Sequence, residues 1–306
     1  MPSGCGRGGL RLPFPRAPVH KGAMIWVWGK LSAAKWADAW DERFRGNPNA
    51  VTTYLKGGKS VRVEVYCETK AEAEAIRQQF GGQVRKLLSK DWSAAPPTRA
   101  EPLKIRAALL VTDIDDPAAL KALRKANPER KIISIPPEMA FGTGDHATTS
   151  TCLRLLVDVA ADLRRAGARA WPMADLGTGS GVLAIAARLL GSGECVAYDF
   201  DPLAVKVALR NVARNGVDGI EVAEQDVLHW QPPQTYPVVA ANLFSTVLIE
   251  AFPVIARALA PGGHLIVSGI LASQAPLVFA AAAAYGLEFP QIIRKGKWVT
   301  ARGGWK

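Results

Sequence analysis

Cysteine and histidine are scarce in this chain, with four of each in 306 residues. Cys5, Cys67, Cys152 and Cys195 form no C-x-x-C pair, and His20, His146, His229 and His264 form no H-x-x-x-H pair. Neither a structural metal site nor a disulfide framework is therefore expected. Thiols this sparse fit a reducing cytoplasm, where they serve as small core hydrophobes. Long apolar runs are missing as well. Even the alanine run Ala280–Ala284 ends at Tyr285 and Gly286, far short of the roughly 18 to 20 residues that span a bilayer, so no membrane role is expected. Acid is in short supply in the first part only. Residues 1–130 carry 23 Lys/Arg against 13 Asp/Glu, whereas residues 131–306 carry 15 against 14. A moderately basic first part suits an acidic partner or a weak RNA contact, and equally a solubilising surface.

What is present describes a globular protein. Hydrophobic residues make up 49% and charged residues 21%, and the length suits two domains or one large α/β domain. Residues 1–23 are rich in Gly, Pro and Arg and lack the apolar core of a secretory signal, and prolines 13, 15 and 18 oppose a transit-peptide helix. A disordered leader is expected there, with Met24 resembling a start. From Met24 the pattern reads as a strand to Trp28, then a helical face of Leu31, Trp36, Ala39, Trp40 and Phe44. Val51–Leu55 and Val61–Cys67 read as strands flanking a Lys56-Gly57-Gly58-Lys59 turn, Lys70–Phe80 as a helix stopped by Gly81 and Gly82, and Gln83–Leu88 as a last strand. The order β-α-β-β-α-β over 24–90 is the ferredoxin-like arrangement. Residues 91–130, with five prolines, are expected to be a linker carrying one strand near Ile105–Val111 and a short helix near Pro117–Lys125. Over 131–306, apolar strands alternate with helical patterns, which predicts a doubly wound, mostly parallel α/β sheet.

The chemistry is concentrated after residue 130. Asp175-Leu176-Gly177-Thr178-Gly179-Ser180-Gly181 follows a short apolar strand and opens a helix, so its glycines allow a tight turn and close approach to a ligand. The dinucleotide fingerprint needs a third glycine at position 182, where Val182 stands. Alternate glycines after an acid suit S-adenosylmethionine better, because Asp175 can help hold the cationic methionine end, directly or through water. Asp199 ends the next strand 22 residues beyond Gly177, close to the roughly 20 expected of a carboxylate that grips ribose hydroxyls. Asp201, before Pro202, reads first as a helix N-cap. Asp226, past the third strand, can accept from an adenine amino group or sit in solvent. Asn242 ends the fourth strand, at the carboxyl edge where such sheets bind their ligands, and its amide can orient a substrate amine. Upstream, Phe141-Gly142-Thr143-Gly144 leads through His146 to Thr148 and Thr149 at a helix start, a loop able to close over a cofactor, with the threonines alternatively serving as caps.

The run Pro137–Thr149, the Asp175–Gly181 turn, Asn242-Leu243, Pro261-Gly262-Gly263 and Ser268-Gly269-Ile270-Leu271 together resemble the ribosomal protein L-eleven methyltransferase family (PrmA) over about residues 100–306. The resemblance implies a seven-stranded methyltransferase sheet and S-adenosylmethionine as cofactor. It also implies a lysine ε-amine or N-terminal α-amine of a ribosomal protein as acceptor, and an N-terminal domain that reads the substrate; a cytoplasmic monomer is expected besides. It places Thr148, Thr149, Gly177, Asp199 and Asn242 on the family's cofactor and active-site pattern; Phe141, Asp175, Gly179, Gly181 and Asp226 are expected beside them as cofactor contacts, with Asn242 and Thr149 at the reacting centre. Residues 24–90 share the family's topology but little of its sequence. Methylation of RNA or a small molecule, and a non-catalytic ribosome-associated module, stand as alternatives.

Overall fold

The computed structural model describes residues 25–44, 47, 49–55, 59–67, 69–87, 101–136 and 146–306. The leader, the Lys56–Gly58 turn and Phe141 with its loop lie outside the described residues. The chain divides into two compact units, Met1–Ala95 and Pro96–Lys306.

In the first unit, β1 (Ile25–Ala33), α1 (Ala37–Arg43), β2 (Ala50–Tyr54), β3 (Ser60–Cys67), α2 (Lys70–Phe80) and β4 (Gln83–Leu87) follow in order. Their antiparallel sheet runs β2-β3-β1-β4, the ferredoxin-like order. Alternation along β3 explains the face that packs: Val61, Val63, Val65 and Cys67 are buried and the intervening residues are not. Under the helices, Trp28 meets Trp40, Phe44 and Phe80 at ring separations of 5.7–6.3 Å. Thr69 caps α2 by accepting from the Glu72 amide at 3.2 Å. One reading is corrected: β1 continues to Ala33, pairing with β3 as far as Ser60, so Leu31 is an exposed strand residue rather than part of a helical face. The continuous ladder outweighs the helical spacing.

The second unit holds β5 (Leu103–Ile105), β6 (Leu109–Thr112), α3 (Pro117–Ala126), β7 (Lys131–Ser134), α4 (Ala147–Arg165), β8 (Met173–Leu176), α5 (Val182–Leu189), β9 (Cys195–Asp199), α6 (Pro202–Asn215), β10 (Ile220–Glu224), β11 (Tyr236–Asn242), α7 (Ser245–Ala258), β12 (Leu259–Leu271), α8 (Ala275–Ala283), β13 (Leu287–Lys295) and β14 (Trp298–Trp305). Seven strands form one sheet in the order β10-β9-β8-β11-β12-β14-β13, parallel through β12 and antiparallel beyond it. Every residue of β8 and β9 is buried, as expected of strands covered on both faces. Two cores flank the sheet, one built with α4 and α5 and the other with α7 and α8. Chain direction across the sheet reverses between β8 and β11, which opens a crevice beyond their carboxyl ends.

The expectation of a linker over 91–130 needs correction. β5, β6 and β7 form a three-stranded sheet, and Ile105, Leu109, Val111 and Ile133 enter the same core as Leu153 and Leu156 of α4. Burying these apolar side chains removes them from water, and a mere connection would not do so. Ile105→Ala in a fragment spanning Pro96–Lys306 is therefore expected to lower its unfolding free energy by about 2 to 3 kcal/mol. A urea titration that finds no loss would return this segment to the role of a tether.

Candidate functional site

The Gly177–Gly181 turn joins β8 to α5 with φ of +73° at Gly177, +55° at Gly179 and +81° at Gly181, a region that side-chain-bearing residues enter at a cost. It is fastened to β9: the Gly177 and Thr178 amides donate to the Tyr198 carbonyl at 2.8 and 2.9 Å, and the Gly179 amide donates to Asp199 Oδ2 at 2.9 Å. Asn211 of α6 donates to the Ser180 carbonyl at 2.9 Å, so a second helix holds the turn from behind. The three glycines expected to approach a cofactor thus lie on one rigid turn at the crevice.

Asp175 lies beneath that turn, fully buried, with Oδ2 accepting from the Thr178 hydroxyl at 2.7 Å. No donor meets hydrogen-bond geometry at Oδ1. Its first role here is to brace Thr178, and the direct ligand contact expected of it is not presented on the turn's surface. Burial pushes its carboxyl from 3.8 up to about 7, against the Thr178 hydroxyl and the Ala184 amide, which pull it down, while the Asp199 charge pushes it further up. Between about pH 4 and 7 the folded protein therefore holds more protons here than the unfolded chain. Stability is expected to fall as pH rises through that window, by as much as about 1.4 kcal/mol per pH unit from this group. Asp175→Asn should flatten the slope in chemical denaturation at pH 5 and 7, and identical slopes for variant and parent would contradict the assignment.

Asp199, at the carboxyl end of β9, is 9% exposed and accepts from the Gly179 amide and, at 3.1 Å, from the Asp201 amide. Burial raises its carboxyl above the ordinary value, opposed by those amides. Each oxygen keeps a further lone pair for an incoming hydroxyl. Asp199→Ala is expected to weaken S-adenosylhomocysteine binding by about 1 to 3 kcal/mol, the scale of a lost charged hydrogen bond, and calorimetry showing equal affinity would take it out of the site. Asp201 caps α6, accepting from the Leu203 amide at 2.8 Å, as its place before Pro202 suggested. Asp226 likewise caps the short 3-10 turn Val227–His229, taking the Leu228 amide at 2.9 Å and His229 Nδ1 at 2.8 Å. The Leu228 amide, with His229, lowers its carboxyl below the ordinary value. An adenine contact would have to share those partners.

Across the crevice, β11 ends at Asn242, whose Oδ1 is buried without a hydrogen-bond partner among the described residues. The residues after it are clamped. A Cβ at Gly177 would collide with the Leu243 side chain, and one at Gly269 with the Leu243 backbone, while the Leu243 amide donates to the Ser268 carbonyl at 3.1 Å. At the start of α4, Thr148 and Thr149 are 1% exposed. The cap is not a threonine but His146, whose Nδ1 lies 2.7 Å from Thr148 Oγ1 and accepts from the Thr148 amide at 3.4 Å. Burial lowers the His146 pKa, and the Lys297 and Lys295 charges lower it further. Trp298 meets the ring edge to face at 5.0 Å. Thr149 Oγ1, like Asn242 Oδ1, is buried and has no partner among the described residues. Two exposed aromatics went unread: Phe200, 74% exposed beside Asp199, and Phe244, 72% exposed beside Leu243. Their signal was a large aromatic within two residues of a strand-ending polar one.

These residues fit a nucleoside-bearing sulfonium. Glycine backbone at the turn permits close approach, Asp199 offers acceptors for ribose hydroxyls, Phe200 offers a flat face for a base, and Thr149 and Asn242 hold polar atoms in want of partners. Val182, 2% exposed, fills the place where a dinucleotide site needs glycine.

A model of the family described as "Ribosomal protein L11 methyltransferase (PrmA)" matches residues 47–304. The ribosomal protein L11 methyltransferase of Chloroflexus aurantiacus is 35% identical over 279 residues, covering 79% of this chain and 81% of its own. That of Pelobacter propionicus is 38% identical over 213 residues, 69% of this chain and 65% of the relative. That of Pelotomaculum thermopropionicum is 45% identical over 169 residues, 55% of this chain and 52% of the relative. The chain thus spans between half and two thirds of the length of these last two. The crystal structure of a ribosomal protein L11 methylase from Lactobacillus delbrueckii subsp. bulgaricus superposes with a TM-score of 0.56 at 27% identity, covering 67% of this chain and 99% of that one. With the family's pattern running through most of its length, this chain belongs to the ribosomal protein L11 methyltransferase family.

Proposed function

We propose that the chain transfers methyl groups from S-adenosylmethionine to amines of ribosomal protein L11, lysine ε-amines and the N-terminal α-amine, in the cytoplasm. The observation that carries this reading is the pairing across one crevice of a turn with three positive-φ glycines and a strand-end amide whose buried Oδ1 lacks a partner. Family membership supports ribosomal protein L11 as the acceptor. The ferredoxin-like unit serves as the substrate reader. A subsidiary contact with RNA phosphates is favoured by the 23 basic against 13 acidic residues of positions 1–130.

When bound, the cofactor supplies a methyl group made electrophilic by its sulfonium. The rest falls to the chain, which positions and desolvates. The glycine turn sets the depth of the cofactor and Asp199 fixes its ribose. Asn242 Oδ1 accepts an N–H of the acceptor, which turns the amine's lone pair toward the methyl, and the Thr149 hydroxyl closes the same wall. A lysine with a pKa near 10.4 must shed its proton first. Asp175 lies buried beneath the glycine turn, Asp199 is taken up with the ribose, and the His146 Nδ1 is engaged by Thr148, so the proton leaves to water. Neutral amine is therefore the species bound, and turnover should climb with pH.

The test is transfer of labelled methyl from the cofactor to purified ribosomal protein L11 and, separately, to ribosomal RNA. Label is expected in the protein. Label confined to the RNA would overturn the reading.

A further inference from the structure

Two neighbouring residues at the head of α7 each depart from a local preference, one at the cap and one in the partnering of a buried oxygen. Phe244 occupies the N-cap position with extended dihedrals, φ −61° and ψ 148°, and contributes no side-chain cap. Residues with a side-chain oxygen are strongly preferred there, and Thr69, Asp116, Asp201 and Asp226 fill that role at other helices of this chain. The phenyl ring does not repay the lost cap by packing, since 72% of the residue is exposed. Next to it Ser245 is 5% exposed, yet its Oγ has no hydrogen-bond partner among the described residues, the same condition as Asn242 Oδ1 three residues earlier. Local conflicts of this kind, side by side at a strand's carboxyl end, mark sites that serve a ligand rather than the fold.

The segment is also held still. Leu243 is pinned between Gly177 and Gly269, and the Phe244 carbonyl accepts the Leu248 amide at 2.9 Å to start the helix. Phe244 is therefore an exposed apolar ring on a fixed backbone, beside two buried oxygen atoms that lack partners. An acceptor complementary to this arrangement has an apolar stem that ends in an amine. A lysine side chain, with four methylenes leading to nitrogen, has that form; a chain-terminal α-amine does not.

We propose that Phe244 is the specificity-determining contact of the transfer reaction: its ring carries the aliphatic stem of an accepted lysine, while Asn242 Oδ1 and Ser245 Oγ receive the two N–H groups of its neutral amine. The inference rests on the amine-methylating reading given above and adds to it the choice between two kinds of amine. With its two N–H groups held on these oxygens, the nitrogen turns its lone pair to the methyl. The ring face also attracts the ammonium form as it arrives.

The experiment compares two forms of ribosomal protein L11 as acceptors for the full chain: one with an acetylated N-terminus, offering only lysines, and one with every lysine replaced by arginine, offering only its α-amine. Phe244→Ser is expected to reduce the ratio of kcat/KM for the lysine form over the α-amine form by about tenfold. Serine restores a cap, so the same variant is expected to unfold no lower than the parent in a thermal melt. Affinity for S-adenosylhomocysteine should stay within about twofold of the parent. An unchanged ratio in a chain that does transfer methyl groups would overturn the assignment of Phe244 alone. A drop in S-adenosylhomocysteine affinity matching the drop in kcat/KM would also overturn it, by making the ring a cofactor wall. If the parent chain methylates neither form, the amine-methylating reading falls and this inference falls with it.

Discussion

Asn242→Ala is expected to slow methyl transfer by about 100- to 1,000-fold while sparing the fold. The side-chain oxygen it removes is buried and makes no hydrogen bond among the described residues, so one unsatisfied acceptor disappears. The unfolding midpoint should hold or rise. Turnover should fall because the acceptor amine loses the contact that fixes its lone pair, and orientation of this kind supplies several kcal/mol of a barrier. Cofactor affinity, which we assign chiefly to Asp199 and the glycine turn, should change far less than the rate. Single-turnover kinetics with S-adenosylhomocysteine titration alongside would separate the two. A loss of affinity as large as the loss of rate would move Asn242 from the acceptor to the cofactor.

How much of this was legible beforehand depended on how local each signal was. The Asp175–Gly181 turn was readable because alternate glycines are a direct demand for positive φ, and the structure supplies it at all three. The βα units from Met173 onward were readable because a strand wholly buried on both faces gives an unbroken apolar run. β13 escaped, since Pro290 interrupts its pattern; the ladder to β14 accommodates it with a register shift between Glu288 and Gln291. β5, β6 and β7 have three or four residues each, too short to show a period, and only their shared core with α4 reveals that they belong to the second unit. His146 as a helix cap was hidden because histidine is not among the usual capping residues. The pinning of Leu243 was hidden for a different reason: it arises where three strand ends meet, and no spacing along the chain encodes it.

That pinning gives the second large effect. Gly269→Ala is expected to destabilise the second unit by about 3 to 4 kcal/mol and to reduce methyl transfer at least as much as Asn242→Ala does. Gly269 sits at φ +82°, where a residue with a Cβ is already strained, and the new methyl would overlap the Leu243 carbonyl oxygen and carbon. These are backbone atoms and cannot swing aside as a long side chain can. The strand-end segment would have to shift as a body, carrying Asn242 and Ser245 out of register with the glycine turn. Gly177→Ala offers the contrast: it meets the same positive φ, but chiefly the flexible end of the Leu243 side chain, so rotation relieves most of the clash and the loss should be smaller. Urea denaturation and methyl-transfer rates for the two variants in parallel give the comparison. If Gly269→Ala proves milder than Gly177→Ala on both measures, the backbone of Leu243 is not what holds the acceptor side of the site in place.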